Sequence, residues 1–117
     1  MSEEINEAYI LDEPIRAQKR EEFRESLIES IEEVLSFSQV VLNFLELNTS
    51  FKRTTILEYP YVFSRELEDL FGQSAKGIEE LIIERLYKKI CKKYIKDSNM
   101  NFEDYISEAL KRYTECY

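Results

Sequence analysis

Apolar residues recur along this chain at three- and four-residue intervals, the period of a helix with one buried side. Phe23, Leu27, Ile31 and Leu35 are spaced four apart, flanked by Ile28 and Val34 and otherwise surrounded by charge. The spacing predicts a helix over 14–35. Pro14 suits its first turn, where a missing N–H costs nothing. Asp12 and Glu13 stand where negative charge meets the positive helix end. Ser36 and Ser38 are candidate N-caps for a second helix that carries Val40, Val41, Phe44, Leu45 and Leu47 and ends near Asn48. A helix continuous through Ser36 is the alternative. Residues 48–59 read as a loop. Pro60 opens a third helix with Phe63, Leu67, Leu70 and Phe71 on its apolar side, and Gly72 stops it in a left-handed cap. Ser74 caps a segment over 75–96 with the stripe Ile78, Leu81, Ile82, Leu86, Ile90 and Tyr94. Asn101, with Asp104 three residues on, opens the last helix in a variant capping box. Phe102, Tyr105, Ile106, Ala109, Leu110 and Tyr113 share its apolar face.

Composition agrees with that pattern. The chain has 117 residues, 44% hydrophobic and 34% charged, which suits one folded domain. It has only two Gly and two Pro, too few for the turns of a sandwich or barrel. The expected fold is all-α, a single compact bundle of four to five amphipathic helices over 14–117. Residues 1–13 show no clean period and are expected to form a flexible acidic arm.

Charge narrows the classes of function. The net charge is −8, and residues 1–35 hold eleven acids against four bases. Such an excess favours solubility and opposes indiscriminate nucleic-acid binding. No apolar run approaches the roughly 20 residues of a membrane span, and the acidic N-terminus is unlike a secretory leader. The expected location is cytoplasmic. Cys91 and Cys116 lack metal-ligand spacing and have no His to join them. They read as two ordinary thiols, with a disulfide between the last two helices as the alternative.

Four groups of residues are candidates for chemistry. Arg85, Lys88, Lys89, Lys92, Lys93 and Lys96 form a basic run in which Lys88, Lys92 and Lys96 share one helix face. Tyr87 and Tyr94 lie among them, and such a stripe can bind a partner or track phosphates. It can equally complement the C-terminal helix dipole or meet the acidic first helix. From Asp97 the chain places Asp97, Asn99, Asn101, Glu103 and Glu108 at positions 1, 3, 5, 7 and 12 of an EF-hand loop. Phe102 stands where that loop needs Gly, and no metal is expected. Glu21, Glu22, Glu25, Glu29, Glu32 and Glu33 crowd the first helix, but a chain with no His lacks the usual partner for acid–base or metal chemistry. Finally, Tyr9, Phe51, Tyr59, Tyr61, Tyr113 and Tyr117 lie in loops, termini or flanks. They either close the ends of the bundle or form a patch that faces a partner. Gly77 is expected to permit close helix approach.

The stretch 69–87, Asp-Leu-Phe-Gly-Gln-Ser-Ala-Lys-Gly-Ile-Glu-Glu-Leu-Ile-Ile-Glu-Arg-Leu-Tyr, resembles a family of small archaeal helical domains of uncharacterised role. Ile31-Glu32-Glu33-Val34-Leu35 and Phe102-Glu103-Asp104-Tyr105 are similar to it as well, so the likeness covers about residues 27–113. The loop 48–59 departs from the family's more charged pattern. The resemblance implies a helical fold, found alone or attached to regulatory or sensor-like proteins, and carries no catalytic residues. The expected function is a non-enzymatic protein-interaction or regulatory module without cofactor or small-molecule ligand, self-associating as a homodimer. The alternative is a nucleic-acid accessory protein that uses residues 85–96.

Overall fold

The computed structural model describes residues 2–115, with side chains from Glu13 onward. Its α-helices are α1 (Ser2–Val34), α2 (Ser38–Asn48), α3 (Pro60–Phe71), α4 (Ala75–Lys89) and α5 (Phe102–Glu115), with single 3-10 turns at Arg53–Thr55 and Gly72–Ser74. No strand occurs among the described residues, and the fold is an all-α bundle. α1 packs against α2, α4 and α5, while α3 joins the bundle through α4 and α5.

The α1 row is buried as its spacing predicts: Phe23, Leu27 and Ile31 are fully enclosed and Leu35 nearly so. The start of the helix differs. α1 is helical from Ser2 and Pro14 lies inside it. The Glu, Ala, Ile and Leu of the upstream segment are helix formers, so propensity continues through the proline. Side chains from Glu13 to Gln18 are exposed. The break at Ser36 is real: Phe37 turns the chain at φ 57°, ψ 39°, and α2 begins at the next residue.

The loop 49–59 is folded into the structure. Phe51 and Ile56 are core residues. Thr49 Oγ1 donates to the Leu45 carbonyl (2.6 Å) and accepts from the Phe51 N–H (3.1 Å). Arg53 grips the polar side of α2. Its backbone N–H donates to Glu46 Oε2 (2.8 Å) and its guanidinium bonds Glu46, Asn43 (3.0 Å) and Gln39 (3.3 Å). The Phe51, Phe63 and Phe102 rings then run in series at 5.5 and 5.6 Å, tying loop, α3 and α5 together.

α4 is shorter than its sequence pattern, and its buried face is rotated. It ends at Lys89, where the Lys92 N–H reaches the Tyr87 carbonyl (2.9 Å) and the Cys91 N–H reaches that of Lys88 (3.2 Å). These are the paired bonds of a Schellman stop, with Cys91 at φ 58° in the place usually given to Gly. Ala75, Glu79, Ile82, Ile83, Leu86 and Tyr87 are buried, whereas Leu81 is 52% exposed. The chain from Lys92 to Asn101 is non-helical. At its end, Asn101 Oδ1 accepts from the Asp104 N–H and Asp104 Oδ2 from the Asn101 N–H, both at 3.0 Å, which is the expected capping box.

Gly72 has φ 58° and ψ −130°, a conformation open to glycine but not the left-handed helical cap expected from the sequence. Gly77 faces open space, with nothing within 4 Å of an added Cβ, so it permits no close approach. Gly72→Ala is therefore expected to lower stability by about 1–3 kcal/mol through backbone strain, and Gly77→Ala to raise it by up to about 1 kcal/mol. Cys91→Gly, which relieves the left-handed residue, should raise it by roughly 0.5–1 kcal/mol. Urea denaturation at fixed protein concentration measures all three; a stabilised Gly72→Ala or a destabilised Cys91→Gly would contradict these backbone assignments.

Candidate functional site

The basic run does not form one stripe. Arg85, Lys88 and Lys89 stand on the last turns of α4, while Lys92, Lys93 and Lys96 lie beyond its end, so Lys88, Lys92 and Lys96 share no helix face. The continued helix was a natural expectation, because lysines are good helix formers and Tyr94 extends the apolar period. Three of the six cations are engaged by carboxylates. Arg85 bonds Glu33 (3.0 Å), Lys89 bonds Glu33 (2.6 Å) with Glu29 at 3.7 Å, and Lys96 bonds Glu80 (2.7 Å). The two hydrogen bonds hold the Glu33 carboxyl below its ordinary range, and Glu33 in turn raises Lys89. The acidic first helix thus lies alongside α4. Lys88, Lys92 and Lys93 form no ion pair among the described residues.

The residues of the calcium-like spacing serve other ends. Asp97 Oδ1 accepts from the Asn99 N–H (2.9 Å), Asn101 and Asp104 make the α5 cap, and Phe102 is a core side chain. Of the aromatic candidates, Phe51 is buried. Tyr113 joins α5 to α1, with its hydroxyl donating to Glu22 (3.0 Å) and its ring 5.9 Å from that of Phe23. Tyr59 and Tyr61 are half exposed and pack edge-on at 6.3 Å. The side chains of Tyr9, Cys116 and Tyr117 lie outside the described residues; Cys91 is an exposed thiol.

Two features stand out that the pattern along the chain did not single out. The first is the outer side of α2. Leu42 and Leu45 face the core, while Phe37, Val40, Phe44 and Leu47 are exposed by 82, 67, 47 and 85%. Val40, Phe44 and Leu47 follow one another at intervals of four and three residues, the spacing of a two-helix seam, and Phe37 stands at the turn just before the helix. Gln39, Asn43 and Glu46 occupy the third side, where Arg53 holds them. Glu46 is the single charge on α2. The sequence places apolar residues on two sides of α2, and the packing shows which of them is uncovered.

The second is a cleft of about 540 Å³ where α3, α4 and the start of α5 meet the segment 94–101. Among the described residues the buried polar or charged ones are Ser30 and Glu79, and Ser64 Oγ donates to Glu79 Oε1 (2.6 Å). Burial raises the Glu79 carboxyl above its ordinary range; the Ser64 hydrogen bond opposes this, and nearby Glu68 adds to it. The segment 94–101 is held by Tyr105, whose hydroxyl accepts from the Asp97 N–H (2.7 Å) and donates to the Asp97 carbonyl (2.8 Å). Tyr87 Oη donates to the Tyr105 carbonyl (2.9 Å), and Tyr94 packs between the two rings at 5.6 and 5.5 Å. Burial, with Tyr105 beside it, pushes the Tyr94 phenol up to about 12. Among the described residues no helix is long and apolar enough to cross a membrane, and no three His, Cys, Asp or Glu side chains are grouped to hold a metal.

A carboxyl whose folded pKa is raised weakens the fold once it ionises. Glu79→Gln, which keeps an acceptor for Ser64, is expected to raise the melting temperature at neutral pH. The gain should shrink as pH falls through the folded pKa and vanish below the unfolded value, where Glu79 is protonated in both states. A thermal-melt series from neutral to acidic pH tests this, and a variant less stable than wild type at neutral pH would contradict the assignment.

Compared with protein-family models, curated proteins and solved structures, the chain matches none of them.

Proposed function

We propose that this protein is a non-enzymatic interaction module that pairs with a second copy of itself through the outer side of α2. The observation that carries the reading is the exposed row Phe37, Val40, Phe44 and Leu47. In an antiparallel two-fold pairing Val40 of one copy meets Phe44 of the other, as an isologous contact requires, and the exposed Phe37 ring at the end of the helix extends the same apolar surface.

Phe37 adds a separate argument. Its backbone is left-handed, a conformation costly for an aromatic residue and natural for Gly or Asn. Its ring is 82% exposed, so neither the turn nor the core accounts for a phenylalanine there. A contact outside the molecule does. Charge supports the same occupant, because a surface that meets its own copy must avoid like charges and the one charge on α2 is satisfied by Arg53. The row exposes on the order of several hundred Å², below the roughly 800 Å² per partner of a standard interface. The expected dimer is reversible and forms at micromolar concentrations.

Sedimentation equilibrium over a dilution series tests the reading. The full chain should dimerise, with a melting temperature that rises with concentration. Leu47→Glu should be monomeric and folded, while Leu81→Glu, at an exposed site on α4, should dimerise as wild type does. Phe37→Gly should weaken the dimer yet stabilise the monomer by roughly 0.5–1 kcal/mol. A chain that stays monomeric at hundreds of micromolar, or a dimer unmoved by Leu47→Glu, would refute it.

A further inference from the structure

We propose that the cleft between α3, α4 and α5 binds a small organic cation, an ammonium group on an apolar body, with Glu79 as its counter-charge. The cavity, at about 540 Å³, lies within the ordinary range of small-molecule sites. Glu79, a residue only 9% exposed, is among its lining. Ser64 satisfies Oε1, and no group among the described residues bonds Oε2. Every fully enclosed side-chain oxygen or nitrogen of the described structure does have a partner. Oε2 is therefore not enclosed; it opens on the cleft that Glu79 lines.

The lining selects the charge of the ligand. Glu68, Glu80 and Asp97 stand around Glu79, against Lys76 and Lys96. Lys96 is held by Glu80, which leaves Glu68, Glu79 and Asp97 facing Lys76. An anion meets net repulsion here. A neutral ligand that covered Glu79 would bury a carboxylate without its counter-charge, which is costly. A cation relieves both. Among the described residues no set of ligating side chains is grouped to hold a metal, which favours an organic cation.

The walls select the body of the ligand. Ile83, Met100 and Phe102 give apolar contact, and the aromatic Tyr94 and Tyr105 line the cleft beside them. The segment that closes the cleft is already pinned by the two Tyr105–Asp97 hydrogen bonds, so the site is formed before a ligand arrives. α2 contributes no residue to it, and the inference is independent of self-association.

The test uses three probes with one apolar body: 2-phenylethylammonium, 2-phenylethanol and phenylacetate, each titrated into the full chain and followed by NMR. The ammonium should saturate, with shifts concentrated at Tyr94, Phe102 and Tyr105. The alcohol and the carboxylate should bind at least about tenfold more weakly, as should the ammonium to Glu79→Gln, because a charge-assisted hydrogen bond is lost. Lys76→Glu, at an exposed position that leaves the fold intact, should tighten ammonium binding severalfold and decides the matter if Glu79→Gln fails to fold. Leu47→Glu should bind the ammonium as wild type does. Absence of saturation by the ammonium, equal binding of phenylacetate, or Lys76→Glu without effect would overturn the proposal.

Discussion

Burial of the α1 row Phe23, Leu27, Ile31 and Leu35 is the contact on which the other placements depend, because α1 is the element that meets α2, α4 and α5. Each such side chain contributes about 1.5–3 kcal/mol when fully buried, and a domain of this size has a net stability of only about 5–15 kcal/mol. The row therefore decides whether there is a bundle at all. The ion pairs beside it act differently. Glu29 and Glu33 reach Lys89 and Arg85 across exposed surface, where such pairs contribute little. They lie on the side of α4 that faces α1, while on the same helix Glu79 is buried and Leu81 is exposed.

α3 depends on a second, smaller set of contacts. Phe63 sits between Phe51 and Phe102, so a ring from the loop and a ring from α5 hold α3 from two sides. That arrangement fixes the mouth of the cleft, since Ser64 and Glu68 follow Phe63 on α3 and Tyr105 follows Phe102 on α5. A buried carboxylate in its lining weakens the fold in proportion to its desolvation. Packing alone would favour an apolar side chain at position 79.

In α1 and α5 the buried face was legible from the periodic apolar side chains. The α1 row, the Pro60 start of α3 and the Asn101–Asp104 cap of α5 are local patterns, and the structure has each of them. The stop of α4 was hidden because its signal is usually Gly and here is Cys91. The upstream part of α1 was hidden because Pro14 marks a helix start more often than an interior. The outer side of α2 and the Glu79 cleft were invisible for another reason. α2 shows apolar residues on two sides, and periodicity cannot say which side a neighbour covers. Glu79 precedes Glu80 in a charged helix and reads as solvated; its partners come from α3 and from the segment after α4, far away in the sequence.

The distribution of charge connects these two surfaces. A chain of net charge −8 repels its own copies, and screening confines that repulsion to within roughly 10 Å at ordinary salt. A contact between copies, as proposed, is then least opposed where the surface carries no net charge. α2, with its one carboxylate drawn to Arg53, supplies the neutral side of an otherwise charged molecule. The same net charge has the opposite consequence at the cleft. It draws cations toward the protein at long range, and of the carboxylates lining the cleft only Glu79 is buried. Repulsion between copies and attraction for a cation are thus two results of one composition. Geometry separates them, with apolar side chains around an α2 side that lacks charge and a buried carboxylate in the lining of a cleft.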